Sequence, residues 1–242
     1  MKLRLFIYLI FLMLLNLNSF AETLIQENYE HGLTNRYDID ETNATVTVVS
    51  SQSHSGTYSL NIDIDVAGGN TEIRYSGTAS YLGEFHVKIW VKWEAALIAT
   101  FDNDGEYIRF LAIDDASWFD LVDISIFRTS STNYLRVRYH DTDTTLDMLA
   151  LPANDTWHCV EAHIIRDGIT GTAEWWCNGV LIDSDTGVDT GDDDGKYIRI
   201  WSNSSGVTGE YYMDDIVIDT SKYIGTGWRI QEGVAVGSLP YF

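Results

Sequence analysis

The stretch that decides the fold is residues 156–183, TWHCVEAHIIRDGITGTAEWWCNGVLID. Its alternation predicts three consecutive antiparallel strands, at about 157–165, 172–177 and 180–182. Asn178-Gly179, between the second and third strands, is the strongest short hairpin signal, because a type I′ turn needs positive φ at both central residues. Asp167-Gly168 predicts the first turn.

The two cysteines of the chain flank this first turn. Cys159 and Cys177 lie equally far from Gly168, which predicts a hairpin register in which they face each other directly. Two opposed cysteines in an exported chain predict one disulfide. On the chain-entropy account, that bridge would stabilise the fold by about 3 kcal/mol.

The same stretch resembles the central motif of laminin-G-like and concanavalin A-like jelly rolls. The matching residues are Trp157, His158, Val160, Asp167, Gly168, Trp175, Trp176, Asn178, Gly179, Val180 and Leu181. The resemblance implies an all-β fold, a two-sheet antiparallel jelly-roll sandwich. It says little about function, since jelly rolls of this kind include lectins, glycosidases, lyases and adhesion modules.

The rest of the chain is consistent with one sandwich domain over residues 22–242. Roughly a dozen short alternating segments are separated by turn residues, and no helical periodicity of three turns or more is visible after residue 21. Residues 222–242 lack clear alternation and are predicted to form an irregular C-terminal arm.

Residues 1–21 are predicted to be a signal peptide. Lys2 and Arg4 precede an eleven-residue apolar run at 5–15, and Ser19-Phe20-Ala21 fits the small-x-small cleavage rule. The run is shorter than the roughly 20 residues of a membrane-spanning helix. We therefore expect a secreted protein, in the medium, on the cell surface or in the periplasm, without membrane insertion.

The chain is strongly acidic, with a net charge of −21. The predicted leader carries two of the basic residues and none of the acidic ones, so the remainder has a net charge of −23. Such a surface repels nucleic acids and anionic membranes, which excludes them as partners.

Several predicted strands place basic and aromatic residues on the face opposite their apolar residues. In a jelly roll these residues could line a groove, where aromatic rings stack on sugar rings and arginine forks bind hydroxyl or carboxylate groups. The alternative is a solvated sheet face with cross-strand ion pairs. The candidate glycan-binding residues are Trp90, Tyr107, Arg109, Tyr134, Arg136, Arg138, His140, Tyr197, Arg199 and Trp201.

A structural calcium is the predicted cofactor. Glu30 near the start and Asp215 in the last strand resemble the paired chain ends of β-sandwich carbohydrate-binding modules, which hold calcium there. The alternative is a solvent-exposed acidic edge. A second acidic segment, residues 189–195, departs from EF-hand spacing and is more typical of a surface turn.

Catalytic motifs are scarce. The Glu-x-Asp-x-Glu run of laminarinase-like hydrolases is absent. Jelly-roll polysaccharide lyases use residue types that are present here as Tyr134 and His140, with Arg136 and Arg138. The sequence motifs of the alginate-lyase family, however, are absent. His86 and His163 are isolated histidines, and no His-x-His or His/Cys cluster indicates zinc.

The favoured function is therefore non-catalytic glycan binding. A polysaccharide lyase or glycoside hydrolase using the same groove is the second hypothesis. A surface adhesion or structural module without sugar binding is the third.

Overall fold

A computed structural model describes six ranges of the chain. They are residues 23–32, 37–75, 83–115, 120–139, 144–191 and 197–220. The predicted signal peptide and the predicted C-terminal arm lie outside these ranges.

The described residues form sixteen strands and one short helix. The strands are β1 Thr23–Glu27, β2 Tyr37–Thr42, β3 Thr45–Val49, β4 Ser59–Ile64, β5 Asn70–Tyr75, β6 Glu84–Trp93, β7 Tyr107–Asp114, β8 Asp120–Thr129, β9 Thr132–Tyr139, β10 Thr144–Thr145, β11 Leu149–Ala150, β12 His158–Ile165, β13 Gly171–Cys177, β14 Val180–Val188, β15 Tyr197–Ser205 and β16 Gly209–Asp219. The helix, α1, is Ala95–Ile98. Across the described ranges, no helix is both long enough and apolar enough to span a bilayer.

The strands form two antiparallel eight-stranded sheets. Sheet A has the order β14-β13-β12-β6-β16-β4-β3, with β1 also paired to β16. Sheet B has the order β10-β9-β8-β7-β15-β5-β2, with β11 also paired to β9. The predicted two-sheet sandwich is confirmed.

The core lies between the sheets and is built from the apolar face of each strand. In β6, the predicted inward face from Phe85 to Trp93 is fully buried. Trp93 of sheet A stacks on Phe110 of sheet B with ring centroids 6.2 Å apart, and Tyr211 meets Phe110 edge-on at 5.1 Å. Burying a large apolar side chain contributes roughly 1.5–3 kcal/mol, so this layer carries most of the stability and directs polar residues outward.

The predicted meander is confirmed as β12, β13 and β14. Asn178 and Gly179 have φ values of 51° and 79°, as the type I′ turn requires. The carbonyl of Cys159 accepts a hydrogen bond from the Asn178 backbone N–H at 2.8 Å, which closes this hairpin against β12.

The predicted pairing of the cysteines is wrong by one residue. Cys177 pairs with Val160, because Ile165 and Thr172 enclose a loop whose centre falls between Gly168 and Ile169. A one-residue shift moves a side chain to the opposite face of a sheet. Cys177 therefore packs in the core, whereas Cys159 lies opposite Trp90 on the outer side, and both are buried, free thiols.

This arrangement predicts a specific thiol titre. Burial raises the pKa of the Cys159 thiol to about 12 and that of Cys177 to about 11, so neither forms the reactive thiolate in the folded protein. We expect Ellman's reagent to detect no thiols in the native protein. It should detect two after unfolding in guanidinium without reductant, and one in Cys159→Ser. A titre of zero after unfolding would instead indicate the disulfide.

Candidate functional site

The outer face of sheet B carries a continuous polar row. Paired residues of neighbouring antiparallel strands point to the same side of a sheet. The register joins Arg138 to Asp123, Asp123 to Ala112, Ala112 to Arg199, and Arg199 to Arg74. Side chains from five strands therefore share this face, away from the core.

At one end of this face lies a groove with a volume of about 460 Å³. It runs over β7, β8 and β9 and is bordered by β10 and the segment before β11. We call it the sheet B groove. Its lining residues are Gly105, Tyr107, Arg109, Phe127, Thr129, Arg136, Arg138, Thr145 and Met148.

A single buried carboxylate holds the arginines of the sheet B groove. Asp123 is fully buried and lies 2.5 Å from Arg138 Nε, 3.7 Å from a terminal nitrogen of Arg136 and 3.8 Å from Arg109 Nε. Ser125 donates to Asp123 at 2.8 Å and accepts from Arg136 Nε at 3.1 Å. Three guanidinium groups thus converge on one buried carboxylate.

Two of these guanidinium groups also lie over aromatic rings. The Cζ atom of Arg136 is 4.4 Å from the ring centroid of Phe127, and that of Arg109 is 5.1 Å from the ring of Tyr107. Such contacts are attractive and limit the rotamers of the arginines. The charges of the groove are therefore positioned before any ligand arrives.

Arg199 belongs to a second charged cluster on the same face. Its guanidinium group contacts both oxygens of Asp114 and lies 3.5 Å from Glu72, which also accepts from Arg74 at 2.7 Å. Burial opposes ionisation of Glu72, but the hydrogen bond from Arg74 and the charge of Arg199 outweigh it and lower the Glu72 pKa. Arg199 is therefore held by two carboxylates outside the sheet B groove.

The structure brings together some of the predicted binding residues. Tyr107, Arg109, Arg136 and Arg138 line the sheet B groove. Tyr134 pairs with Phe127 at its edge.

Further residues share the outer face of sheet B beyond the groove. Tyr197 pairs with Asp114, next to Arg199. Trp201 pairs with Glu72 in the backbone register, but its side chain is outside the described part of the structure.

Two predicted residues are not placed in the sheet B groove. Trp90 lies on the outer face of sheet A, where its ring stacks on His54 with centroids 3.6 Å apart. His140 falls outside the described residues. The Tyr134/His140 pair of the lyase hypothesis therefore stays a prediction.

Sequence reasoning missed the centre of the groove. Asp123 and Phe127 lie on β8, and neither was among the predicted binding residues. The alternation of this strand is present in the sequence, since Val122, Ile124 and Ile126 are all buried. That alternation would have placed Asp123 on the outer face.

The two predicted calcium ligands meet at one loop. Glu30 accepts hydrogen bonds from the backbone N–H groups of Thr57 and Tyr58 at 2.7 and 2.8 Å. Asp215 is buried and accepts from the Ser55 hydroxyl at 2.8 Å. A Cβ at Gly56 would lie 2.4 Å from the Glu30 carboxylate, so only glycine lets the loop pass this close.

A further carboxylate adds negative charge beside this loop. His54 Nδ1 lies 2.7 Å from Asp215, and the His54 and Ser55 N–H groups donate to Asp214. Burial and the neighbouring Asp215 charge raise the pKa of Asp214 to about 7. Carboxylate oxygens are the ligands that a hard divalent cation prefers.

No protein-family model matches the sequence, and no curated protein matches it either. Solved structures do resemble the fold. The cellulose-induced protein Cip1 superimposes with a TM-score of 0.61 and 20% identity, covering 82% of this chain and 98% of that one.

Two further structures resemble the chain to a similar degree. An endo-β-1,4-glucuronan lyase from the fungus Trichoderma reesei has a TM-score of 0.58 at 15% identity, covering 83% of this chain and 96% of its own. A carbohydrate esterase of the Shiga toxin-encoding bacteriophage phi24B has a TM-score of 0.59 at 15% identity, covering 84% and 100%. At these identities the similarities show a shared fold, and they agree with the predicted jelly-roll sandwich.

The buried charge cluster predicts a large stability effect. Asp123→Asn removes the charge shared by three arginines, so we expect the free energy of unfolding to fall by about 3 kcal/mol in urea titrations. The matched control is Asp104→Asn, because the Asp104 side chain is 54% exposed and lies 4.0 Å from Arg128. This exposed pair should contribute less than about 1 kcal/mol. Equal losses in the two variants would contradict the central role of Asp123.

Proposed function

We propose that this protein binds a carboxylate-bearing glycan, such as a uronate polymer, in the sheet B groove. The observation that carries the proposal is the convergence of Arg109, Arg136 and Arg138 on one concave surface beside Tyr107 and Phe127. The guanidinium fork matches a carboxylate in a bidentate manner, and aromatic rings offer flat apolar surfaces to sugar rings.

The composition of the groove supports an acidic ligand over a neutral one. In a chain with a net charge of −21, the lining residues described for this groove include three arginines and no acidic residue. Guanidinium groups gathered on one surface favour a carboxylate-bearing ligand there.

The similar structures support a carbohydrate ligand. Two of the three are named as enzymes that act on carbohydrate, a glucuronan lyase and a carbohydrate esterase, and the third as a cellulose-induced protein. Glucuronan is itself a uronate polymer, which accords with an arginine-rich groove.

Binding without turnover is favoured by the side chains of the groove. Among the described lining residues, none is a histidine, an aspartate or a glutamate. Asp123 is fully buried beneath the arginines. General acid–base catalysis needs a positioned acid and base within reach of the substrate.

The binding proposal predicts a localised loss of affinity. We expect isothermal titration calorimetry to detect glucuronan oligosaccharides, with a dissociation constant that rises at least about 10-fold in Arg109→Gln and in Tyr107→Ala. Trp176→Ala is the control, since this partly exposed tryptophan lies on sheet A and should bind like the wild type. Affinity should also fall as salt is raised.

The same samples separate the other hypotheses. Ultraviolet absorbance of unsaturated sugar ends during incubation would identify a lyase, and new reducing ends without it a hydrolase. Unchanged affinity in both groove variants would place the ligand elsewhere. Absence of binding to acidic and neutral glycans alike would favour an adhesion or structural module.

We also propose that Glu30 and Asp215 hold a structural calcium ion at the loop of residues 54–58. The ion would fix the N-terminal segment against β16 and offset the repulsion between Asp214 and Asp215. Its support is the meeting of both carboxylates on one loop, with Gly56 required by the close approach of Glu30.

The calcium proposal predicts a chelator-sensitive melting temperature. A cation that binds only the folded state at 100 times its dissociation constant adds about 2.7 kcal/mol to the free energy of unfolding. We expect EDTA to lower the melting midpoint of the wild type and to have little effect on Glu30→Gln. Asp189→Asn, in the other acidic segment, should respond like the wild type. A midpoint that EDTA does not change would contradict the site.

A further inference from the structure

The outer face of sheet A carries a row of acidic and imidazole side chains, remote from the sheet B groove. The register pairs Glu174 of β13 with His163 of β12, His163 with His86 of β6, and His86 with Asp219 of β16. The two histidines stack with ring centroids 4.1 Å apart and an interplanar angle of 4°. Residues that are isolated in the sequence are therefore neighbours in the fold.

His163 is held by carboxylates on both ring nitrogens. Its Nδ1 lies 3.0 Å from Glu174 Oε2, and its Nε2 lies 3.1 Å from Glu84 Oε1. Glu174 in turn accepts a hydrogen bond from the Ser184 hydroxyl at 2.9 Å. Because both carboxylates only accept, a ring with one N–H can donate to just one of them, and donation from Nδ1 to Glu174 gives one of its two tautomers.

In that tautomer, Nε2 carries a lone pair and faces a second acceptor, Glu84. Two acceptors at hydrogen-bond distance require a cation between them, either a proton or a metal ion. A histidine whose far nitrogen donates to a carboxylate is the arrangement commonly found around protein-bound metals. Glu174 would then be a positioning residue, and His163 the ligand.

His86 supplies the third donor. It is 5% exposed, and its Nδ1 is buried without a hydrogen-bond partner. An unsatisfied buried nitrogen costs roughly 1–3 kcal/mol, which a bound cation would recover. One ligand atom each from Glu84, His86 and His163 lies within 4.8 Å of the others, the one such group of three found among the described residues.

We propose that Glu84, His86 and His163 bind a zinc ion. Two imidazoles and one carboxylate are the donors that zinc prefers, whereas calcium takes oxygen ligands. Three protein ligands leave the fourth tetrahedral position to water, and the Glu84 side chain is 52% exposed, so solvent reaches the site. The site is independent of the proposed calcium loop and of the sheet B groove.

The site requires one rearrangement before it can bind zinc. Ligand atoms at about 2.1 Å from a tetrahedral zinc lie about 3.4 Å apart. The Glu84–His163 separation of 3.1 Å is already close to this value. The in-plane lone pairs of two parallel rings do not converge, so at least one imidazole must turn out of the stack for both nitrogens to reach the ion.

The test is zinc titration of the untagged full chain, with calcium in excess so that hard oxygen sites are filled. We expect one zinc per chain in competition with a chromophoric chelator, and a tetrahedral visible spectrum when cobalt replaces zinc. Replacing a ligand in His163→Gln or Glu84→Gln should raise the dissociation constant at least about 10- to 100-fold. Glu174→Gln should weaken binding by about 10-fold while keeping the one-to-one ratio.

The controls make each outcome decisive. His31→Gln removes an exposed histidine in the turn after β1 and should leave zinc affinity unchanged. Glu84→Gln alters a half-exposed side chain, so the test does not depend on a foldable variant of buried His86. Absence of stoichiometric zinc binding would overturn the proposal. Equal affinity in wild type, His163→Gln and Glu84→Gln would also overturn it.

Discussion

Sheets A and B share one interior, so each strand commits one face to it and presents the other to solvent. In β8 this constraint buries Val122, Ile124 and Ile126 inward and turns Asp123, Ser125 and Phe127 outward. Because a strand alternates with a period of two, a side chain cannot change face without moving every neighbour on its strand. The positions of the sheet B groove and of the histidine pair both follow from this coupling.

The outer face of sheet B also buries charged side chains. Arg136 and Asp123 are nearly inaccessible to solvent, and unpaired charges there would be costly. The sheet distributes guanidinium groups around carboxylates, one cluster at Asp123 and one at Asp114 with Glu72. The arginines of the Asp123 cluster line the sheet B groove, which is the surface proposed to bind an acidic ligand.

Much of this face was predictable because alternation is a local property. The sequence of each strand was enough to predict which residues point outward from the sheet. Four residues predicted in this way do line the sheet B groove: Tyr107, Arg109, Arg136 and Arg138. Sheet membership is not local, and Trp90 has the same outward phase as Arg109 but lies on the other sheet. The register of two strands across a loop is equally hard to predict from sequence. A difference of one residue in the turn after Ile165 decides whether Cys159 or Val160 faces Cys177. The neighbouring positions of His86 and His163 depend on β6 pairing with β12, which no short-range signal encodes.

The strand β14 is an edge strand of sheet A, because it pairs on one side only among the described strands. Its beginning is apolar, with Val180 and Leu181 63% and 50% exposed, which is the composition that invites a strand from another molecule to add on. Asp183 and Asp185 follow directly, and the register shifts beside Trp175 where β14 meets β13. Charge and irregularity at the edge of a sheet discourage the addition of a strand from another molecule.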